Sequence, residues 1–227
     1  MQSEATWNSA TYDVSGGAVL GLEPLRWLGA GKVAVVCLRG LLGEQEVETA
    51  RRQAHGLPDP GSVADRAFDL PSRVRAALRR TFGLAALEPA SGPDGRPCGE
   101  AVIRLHSDGV RDPLHHDRVA RDATGTACRL SCVVSLQECD WGGELVTYRK
   151  PWEPSDERWR VPDGPGYRGE VVAAAPRHVF RPRTRDVYLI NPAYYHETEK
   201  AHGATRTTLG FFIGFTDDTL DRAVTWG

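Results

Sequence analysis

The sequence has no apolar run approaching the length of a membrane span, no long basic block, no C-x-x-C pair and little lysine. The first three absences each bear on a class of function; the scarcity of lysine beside plentiful arginine reflects a GC-rich genome rather than function. A membrane-spanning helix needs about 20 consecutive apolar residues, so no membrane partner is expected. Net charge is −2 with both signs interspersed, so a binder of nucleic-acid phosphates is not expected either. The cysteines are Cys37, Cys98, Cys128, Cys132 and Cys139. An odd number without paired spacing reads as reduced, buried or half-buried thiols, with a cysteine-based metal site as the minor alternative. The first residues lack a basic segment followed by an apolar one. No secretory leader is expected, and the expected location is cytoplasmic.

What is present is a chain of 227 residues, 41% hydrophobic. That suits one globular domain spanning 1–227, with a helix-rich part over about 1–97 and a β core over about 98–216. Residues 1–31 look irregular. Lys32 to Leu38 reads as a buried strand. Leu42 to Ala54 looks helical. Pro71 to Arg80 is a stronger helix, with proline at its start, Val74, Ala77 and Leu78 on one side, and arginines on a solvated face. Short β-rich runs follow: Ala101–Leu105, Arg129–Leu136, Glu144–Tyr148, Glu170–Ala173, His178–Phe180, Asp186–Ile190 and Thr207–Phe215. Helices first and many short strands after predict an α+β fold that is mainly β with flanking helices. The loop from Lys150 to Gly169 is long and holds Trp152 and Trp159, as lids and binding loops often do.

Within the β region stands an ordered set of four polar groups: His115 and Asp117 in an H-x-D pair, then His196, then Arg206. In a strand, residues i and i+2 share a face, so His115 and Asp117 can point together while His116 points away. Two histidines and one carboxylate on one face of an iron form the facial triad of non-haem Fe(II) oxygenases and leave positions open for substrates and O₂. Arg206 offers a fork for the far carboxylate of a dicarboxylic co-substrate. A turn over Ala201–Ala204 would place Arg206 on the strand next to His196. A competing H-x-D pair, His106 and Asp108, lies in what reads as a loop.

These stretches resemble the Fe(II)/2-oxoglutarate-dependent oxygenases. The resemblance runs from about Ser91 to Phe215. It is carried by Ser91–Gly95, Ile103–Leu105, Gly142–Tyr148, Asn191 through His196, and Arg206 through Phe212. Within that family the sequence looks nearest the branch holding the welwitindolinone-type alkaloid halogenases and free amino-acid halogenases. Those enzymes carry Gly or Ala where this chain has Asp117, so the resemblance implies oxygenation and argues against halogenation. It implies a double-stranded β-helix core, jelly-roll or cupin-like. It also implies Fe(II) on His115, Asp117 and His196, with 2-oxoglutarate and O₂ as co-substrates. Arg206 and Thr208 would hold the far carboxylate, and Arg104 is a second candidate for contact with 2-oxoglutarate.

The implied reaction is hydroxylation of a small molecule with release of succinate and CO₂; desaturation or cyclisation would use the same centre. An amino acid, its derivative or a natural-product intermediate of secondary metabolism is the implied substrate class. Ser131 and Trp152 are candidate pocket residues; a solvent-facing strand serine and a packed loop anchor are their plainer readings. Asn191 reads as a turn former, or as a residue supporting His196. Two other functions stay open: a metal-bearing cupin-like binding module without 2-oxoglutarate turnover, and a protein-modifying hydroxylase.

Overall fold

The computed structural model describes residues 7–56, 69–92, 94–96, 98–117 and 128–227. Its framework is a large mixed sheet backed by helices on one face and by a smaller sheet on the other. The helices are α1 (Glu23–Gly29), α2 (Glu44–His55) and α3 (Leu70–Phe82). The first strands are β1 (Ser9–Asp13), β2 (Val35–Arg39), β3 (Ala86–Pro89), β4 (Val102–His106) and β5 (Asp112–His115). Then come β6 (Cys128–Gln137), β7 (Trp141–Gly142), β8 (Leu145–Pro151), β9 (Arg177–Phe180) and β10 (Val187–Ile190). The last are β11 (Tyr194–Thr198), β12 (Ala201–His202), β13 (Arg206–Phe215) and β14 (Arg222–Trp226).

The large sheet has the order β1-β2-β10-β6-β13-β14-β3, with β4 also paired to β13. The small sheet has the order β5-β11-β8-β9, and β12 pairs β7. Alternation decides what lies between the sheets. On β13, Leu209, Phe211, Ile213 and Phe215 join Leu130, Cys132, Val134 and Leu136 of β6 in the core beneath the helices. The intervening Arg206, Thr208 and Phe212, with Ser131 and Val133 of β6, face a cavity instead. A period of two thus divides each strand between an apolar core and a polar site.

Helix α3 shows why the helices sit where they do. Pro71 opens it, and Gly83, at φ +68°, closes it in the left-handed conformation that glycine tolerates best. Leu70, Val74, Leu78 and Phe82 form the stripe that packs on the sheet. Not all its arginines lie on a solvated face: Arg75 is buried and pairs with Glu100 at 3.2 Å.

The expected strand over Glu170–Ala173 is a 3₁₀ turn over Gly169–Val172. Strands β1, β3 and β14 and helix α1 have no counterpart in the sequence reading; β1 and β3 pair in parallel with β2 and β14. The large sheet therefore recruits both ends of the described chain. The long excursion after β8 packs on the outer face of the small sheet, where Trp152, Trp159 and Tyr167 surround Tyr195 and Leu114.

Candidate metal centre

His115 closes β5, and His196 sits in the middle of β11. The two are Cα partners across the antiparallel pair. Asp117 lies just beyond the strand, where its backbone N–H donates to the Pro192 carbonyl at 2.9 Å. That bond continues the extended path after His115 and ties it to the segment leading into β11. His115 and Asp117 consequently point the same way, as their spacing predicts.

One ligand atom each from His115, Asp117 and His196 lies within 4.8 Å of the others, the one such group among the described residues. His115 Nε2 is 3.7 Å from Asp117 Oδ1, and His196 Nε2 is 3.6 Å from Asp117 Oδ2. The ring nitrogens have distinct roles. His115 Nδ1 donates to the Pro113 carbonyl at 2.6 Å, and His196 Nδ1 donates to the Tyr194 carbonyl at 2.9 Å. A carbonyl only accepts, so both Nδ1 atoms carry a proton and both Nε2 atoms are turned toward Asp117. Burial, then the neighbouring His115, lowers the His196 pKa to about 4, which keeps its imidazole neutral. Two imidazoles presenting Nε2 beside a carboxylate suit a divalent transition metal, and the backbone acceptors hold the rings in the orientation that such a metal requires.

The cavity beside this group is lined by Arg104, His106, Asp112, Ser131, Tyr188, Arg206 and Thr208. Here the structure corrects one expectation. Arg206 is not on the strand next to His196, because β11 and β13 belong to opposite sheets. The residues meet across the cavity, since the turn after β11 folds Ala201–His202 onto Trp141–Gly142 before β13 begins. Arg206 is 2% exposed. Its Nε donates to Glu138 Oε2 at 2.9 Å and its Nη2 to the Tyr188 hydroxyl at 3.0 Å. Burial alone would lower its pKa; Tyr188 and Glu138 outweigh it and hold the guanidinium charged.

Arg104 and Thr208 are Cα partners on β4 and β13 and share the cavity wall. Ser131 lines it too. Trp152 does not: its ring stacks on His116 at 5.4 Å on the outer face of the small sheet. Residue 116 turns outward between two inward residues, and the indole follows it there. Trp159 belongs to the same outer cluster. Asn191 makes a turn, accepting from Ala193 N at 3.1 Å and donating to the Gly29 carbonyl at 3.2 Å.

Spacing along the chain does not single out three polar residues of the cavity wall, Asp112, Tyr188 and Thr198, nor Glu138, which holds Arg206. Spacing groups His106 with Asp108 in a competing loop pair. His106 instead ends β4 and bonds Asp112, while Asp108 accepts from Gly203 N in a turn. The signal for His106 and Tyr188 was available. His106 is two residues after Arg104, and Tyr188 two before Ile190, so period two places each on the cavity face.

No family model and no curated protein matches the chain. Solved structures do. An N-substituted L-amino acid dioxygenase from Burkholderia ambifaria is similar at 15% identity over 90% of each chain, with a TM-score of 0.59. A complex of such a dioxygenase with alpha-KG, from the same organism, aligns over 94% of this chain and 91% of its own, at 15% identity and TM-score 0.56. HygX from Streptomyces hygroscopicus with iron bound aligns over 81% of this chain and 82% of its own, at 18% identity and TM-score 0.52. At such identities the likeness shows the fold: this chain has the jelly-roll architecture of the 2-oxoglutarate and iron oxygenases it resembles.

Proposed function

We propose that the chain is an Fe(II)- and 2-oxoglutarate-dependent dioxygenase that hydroxylates a small molecule. One observation carries this reading: His115, Asp117 and His196 converge within 4.8 Å, inside the sheet-on-sheet cavity that also holds Arg206. His115 Nε2, His196 Nε2 and an Asp117 oxygen would hold Fe(II). Arg206 and Thr208, with Arg104 on the neighbouring strand, would hold 2-oxoglutarate. When bound, iron and 2-oxoglutarate supply O₂ activation and C–H oxidation, with succinate and CO₂ as co-products. The chain's own residues orient the ligands, exclude bulk water and balance charge. Ser131 and Phe212 contribute to the wall facing the substrate.

Asp117 favours hydroxylation over halogenation, because a carboxylate occupies the position that a halide would need. The substrate class we favour is an amino acid, its derivative or a related intermediate of secondary metabolism, acted on in the cytoplasm by a single domain. The B. ambifaria dioxygenase and HygX support the architecture behind that choice. A metal-bearing binding module has no need of a buried arginine facing its metal group, so Arg206 weighs against that alternative.

The test is Fe(II)-dependent release of succinate from 2-oxoglutarate, first alone and then against a panel of free and N-substituted amino acids. Succinate should form with wild type and disappear with His196→Ala. Wild-type protein that binds Fe(II) yet releases no succinate would leave the binding-module reading standing.

A further inference from the structure

His106 is 4% exposed, lines the cavity, and has a buried Nδ1 without a hydrogen-bond partner. Its Nε2 lies 3.1 Å from Asp112 Oδ2, which also accepts from the Thr198 hydroxyl at 3.2 Å. A carboxylate accepts only, so Nε2 carries a proton and the ring is fixed with Nδ1 unpaired. Leaving a buried polar atom unpaired costs free energy, and binding sites are where such atoms gain a partner. His106 is also the direct cross-strand partner of Arg206. Side chains so placed stand about 5 Å apart at Cβ.

Arg206 does not meet an incoming anion with its whole fork. Its Nε is held by Glu138 and its Nη2 by Tyr188. The Glu138 carboxylate balances its charge, so a carboxylate approaching the free edge needs another donor beside it. His106, on the neighbouring strand, is next to Arg206 on the cavity wall. We propose that His106, oriented by Asp112, is a further ligand of the far carboxylate of 2-oxoglutarate, donating from Nδ1 beside Arg206. This rests on the co-substrate assigned above. Donation from both Nε2 and Nδ1 needs a proton on each ring nitrogen, and the Asp112 carboxylate is there to balance that charge: burial would push its carboxyl up, but the His106 hydrogen bond holds it well below the usual carboxylate range. Among the described residues, Arg104, two residues earlier on the same face of β4, and Arg206 are the arginines on the cavity wall, and Asp117, Asp112 and Glu138 are the carboxylates around them. The plain alternative is a structural His–Asp bridge between the sheets, which would be indifferent to ligand.

The experiment compares two acids on Zn(II)-loaded protein by calorimetry: 2-oxoglutarate, and 2-oxopentanoate, which has the same carbon chain without the far carboxylate. Wild type should prefer 2-oxoglutarate. His106→Gln, which keeps a donor toward Asp112 but loses Nδ1, should weaken 2-oxoglutarate by about tenfold and 2-oxopentanoate by less than about twofold. His106→Asn, whose amide stands nearer the Nδ1 position, should keep most of the preference. Equal changes for both acids, no change, or the opposite order of the two variants would overturn the role of His106. Wild type that does not distinguish the acids would sink the co-substrate assignment itself. If the variants do not fold, proton NMR of the Zn(II)-loaded wild type decides. An imidazole N–H resonance should emerge with 2-oxoglutarate and not with 2-oxopentanoate; the same spectrum with both refutes the contact.

Discussion

His115 and His196 are direct cross-strand partners, and their rings lie 4.3 Å apart between centroids, tilted by 52°. Two imidazoles this close, both with Nδ1–H engaged by backbone carbonyls, present their Nε2 atoms as a preformed pair. The sheet register, rather than any loop, therefore sets the spacing of the two imidazoles. A site on paired strands holds its geometry better than one on loops.

Metal binding follows from that pairing. His115→Ala and His196→Ala should each abolish tight Fe(II) or Co(II) binding, measured by calorimetry, while melting temperature in the metal-free protein changes by only a few degrees. His106→Gln should bind the metal as wild type does. If His196→Ala retains wild-type affinity, the triad is misassigned.

Arg206 serves two neighbours at once, and its replacement should show both. Arg206→Ala should weaken 2-oxoglutarate binding by about 2–5 kcal/mol, the usual cost of truncating one partner of a buried charge pair. It should also destabilise the fold, because Glu138 loses its cation. Adding Glu138→Gln should restore stability without restoring affinity. Arg206→Lys should recover only part of the affinity, since a point charge replaces a planar fork. Affinity that returns with stability in the double variant would make Arg206 structural only.

How much of this was legible follows from which forces act locally. β-rich composition exposed the strands around Ile103, Val134, Leu189 and Leu209, and period two placed His115 with Asp117. Sheet membership is a long-range property, and it misled the placement of Arg206: a two-residue strand, Ala201–His202, intervenes and pairs with Trp141–Gly142. Trp152 failed for a related reason. An indole on a long loop packs wherever an apolar surface is free, and His116, Tyr167 and Tyr195 offer that surface outside the small sheet. The parallel partners β1 and β3 lie far from their mates in sequence, so no hairpin signal announces them. The Glu138–Arg206–Tyr188 cluster joins β13, β10 and the residue just after β6, which spacing along the chain does not connect.

The Gly142-Gly143 turn should tolerate no side chain. Both residues have positive φ, +77° and +71°. A Cβ on Gly142 would collide with the Lys200 carbonyl, and one on Gly143 would stand 3.0 Å from Arg206 Cδ. Gly142→Ala should therefore destabilise by about 2 kcal/mol or more through backbone strain and lost pairing with β12. Gly143→Ala should in addition weaken 2-oxoglutarate binding. Denaturant unfolding and calorimetry separate the two; equal stability in Gly142→Ala would refute the turn geometry.

Asp112 should make stability depend on pH in acid. Burial would raise its pKa, but His106 brings it below the ordinary 3.8. A depressed carboxyl contributes stability that is full above the unfolded-state value and is lost as pH falls through the folded-state value. Asp112→Asn should thus be less stable than wild type at pH 7, by about 1.5–3 kcal/mol for a hydrogen bond to a charged group. The difference should shrink steadily below about pH 4. A gap that stays constant from pH 7 to pH 3 would show that the carboxylate charge contributes nothing.

Asp117 separates two chemistries. It stands 3.7 Å from His115 Nε2 and 3.6 Å from His196 Nε2, so on the proposed reading its carboxylate would complete the protein's donor set. A carboxylate there, together with 2-oxoglutarate and O₂, would leave chloride no place on the metal. Wild type should insert oxygen or desaturate its substrate, and its products should not change when chloride or bromide is added. Asp117→Gly opens a position but removes an anion from between two imidazoles. It should lose at least about tenfold in Fe(II) affinity, in line with the cost of disturbing groups around a metal, and most hydroxylation with it. Halide transfer would appear in that variant only if surrounding residues can hold the anion where the carboxylate was. Product mass spectrometry with and without halide reads both cases. A chlorinated product from the wild type would mean that Asp117 is not a ligand.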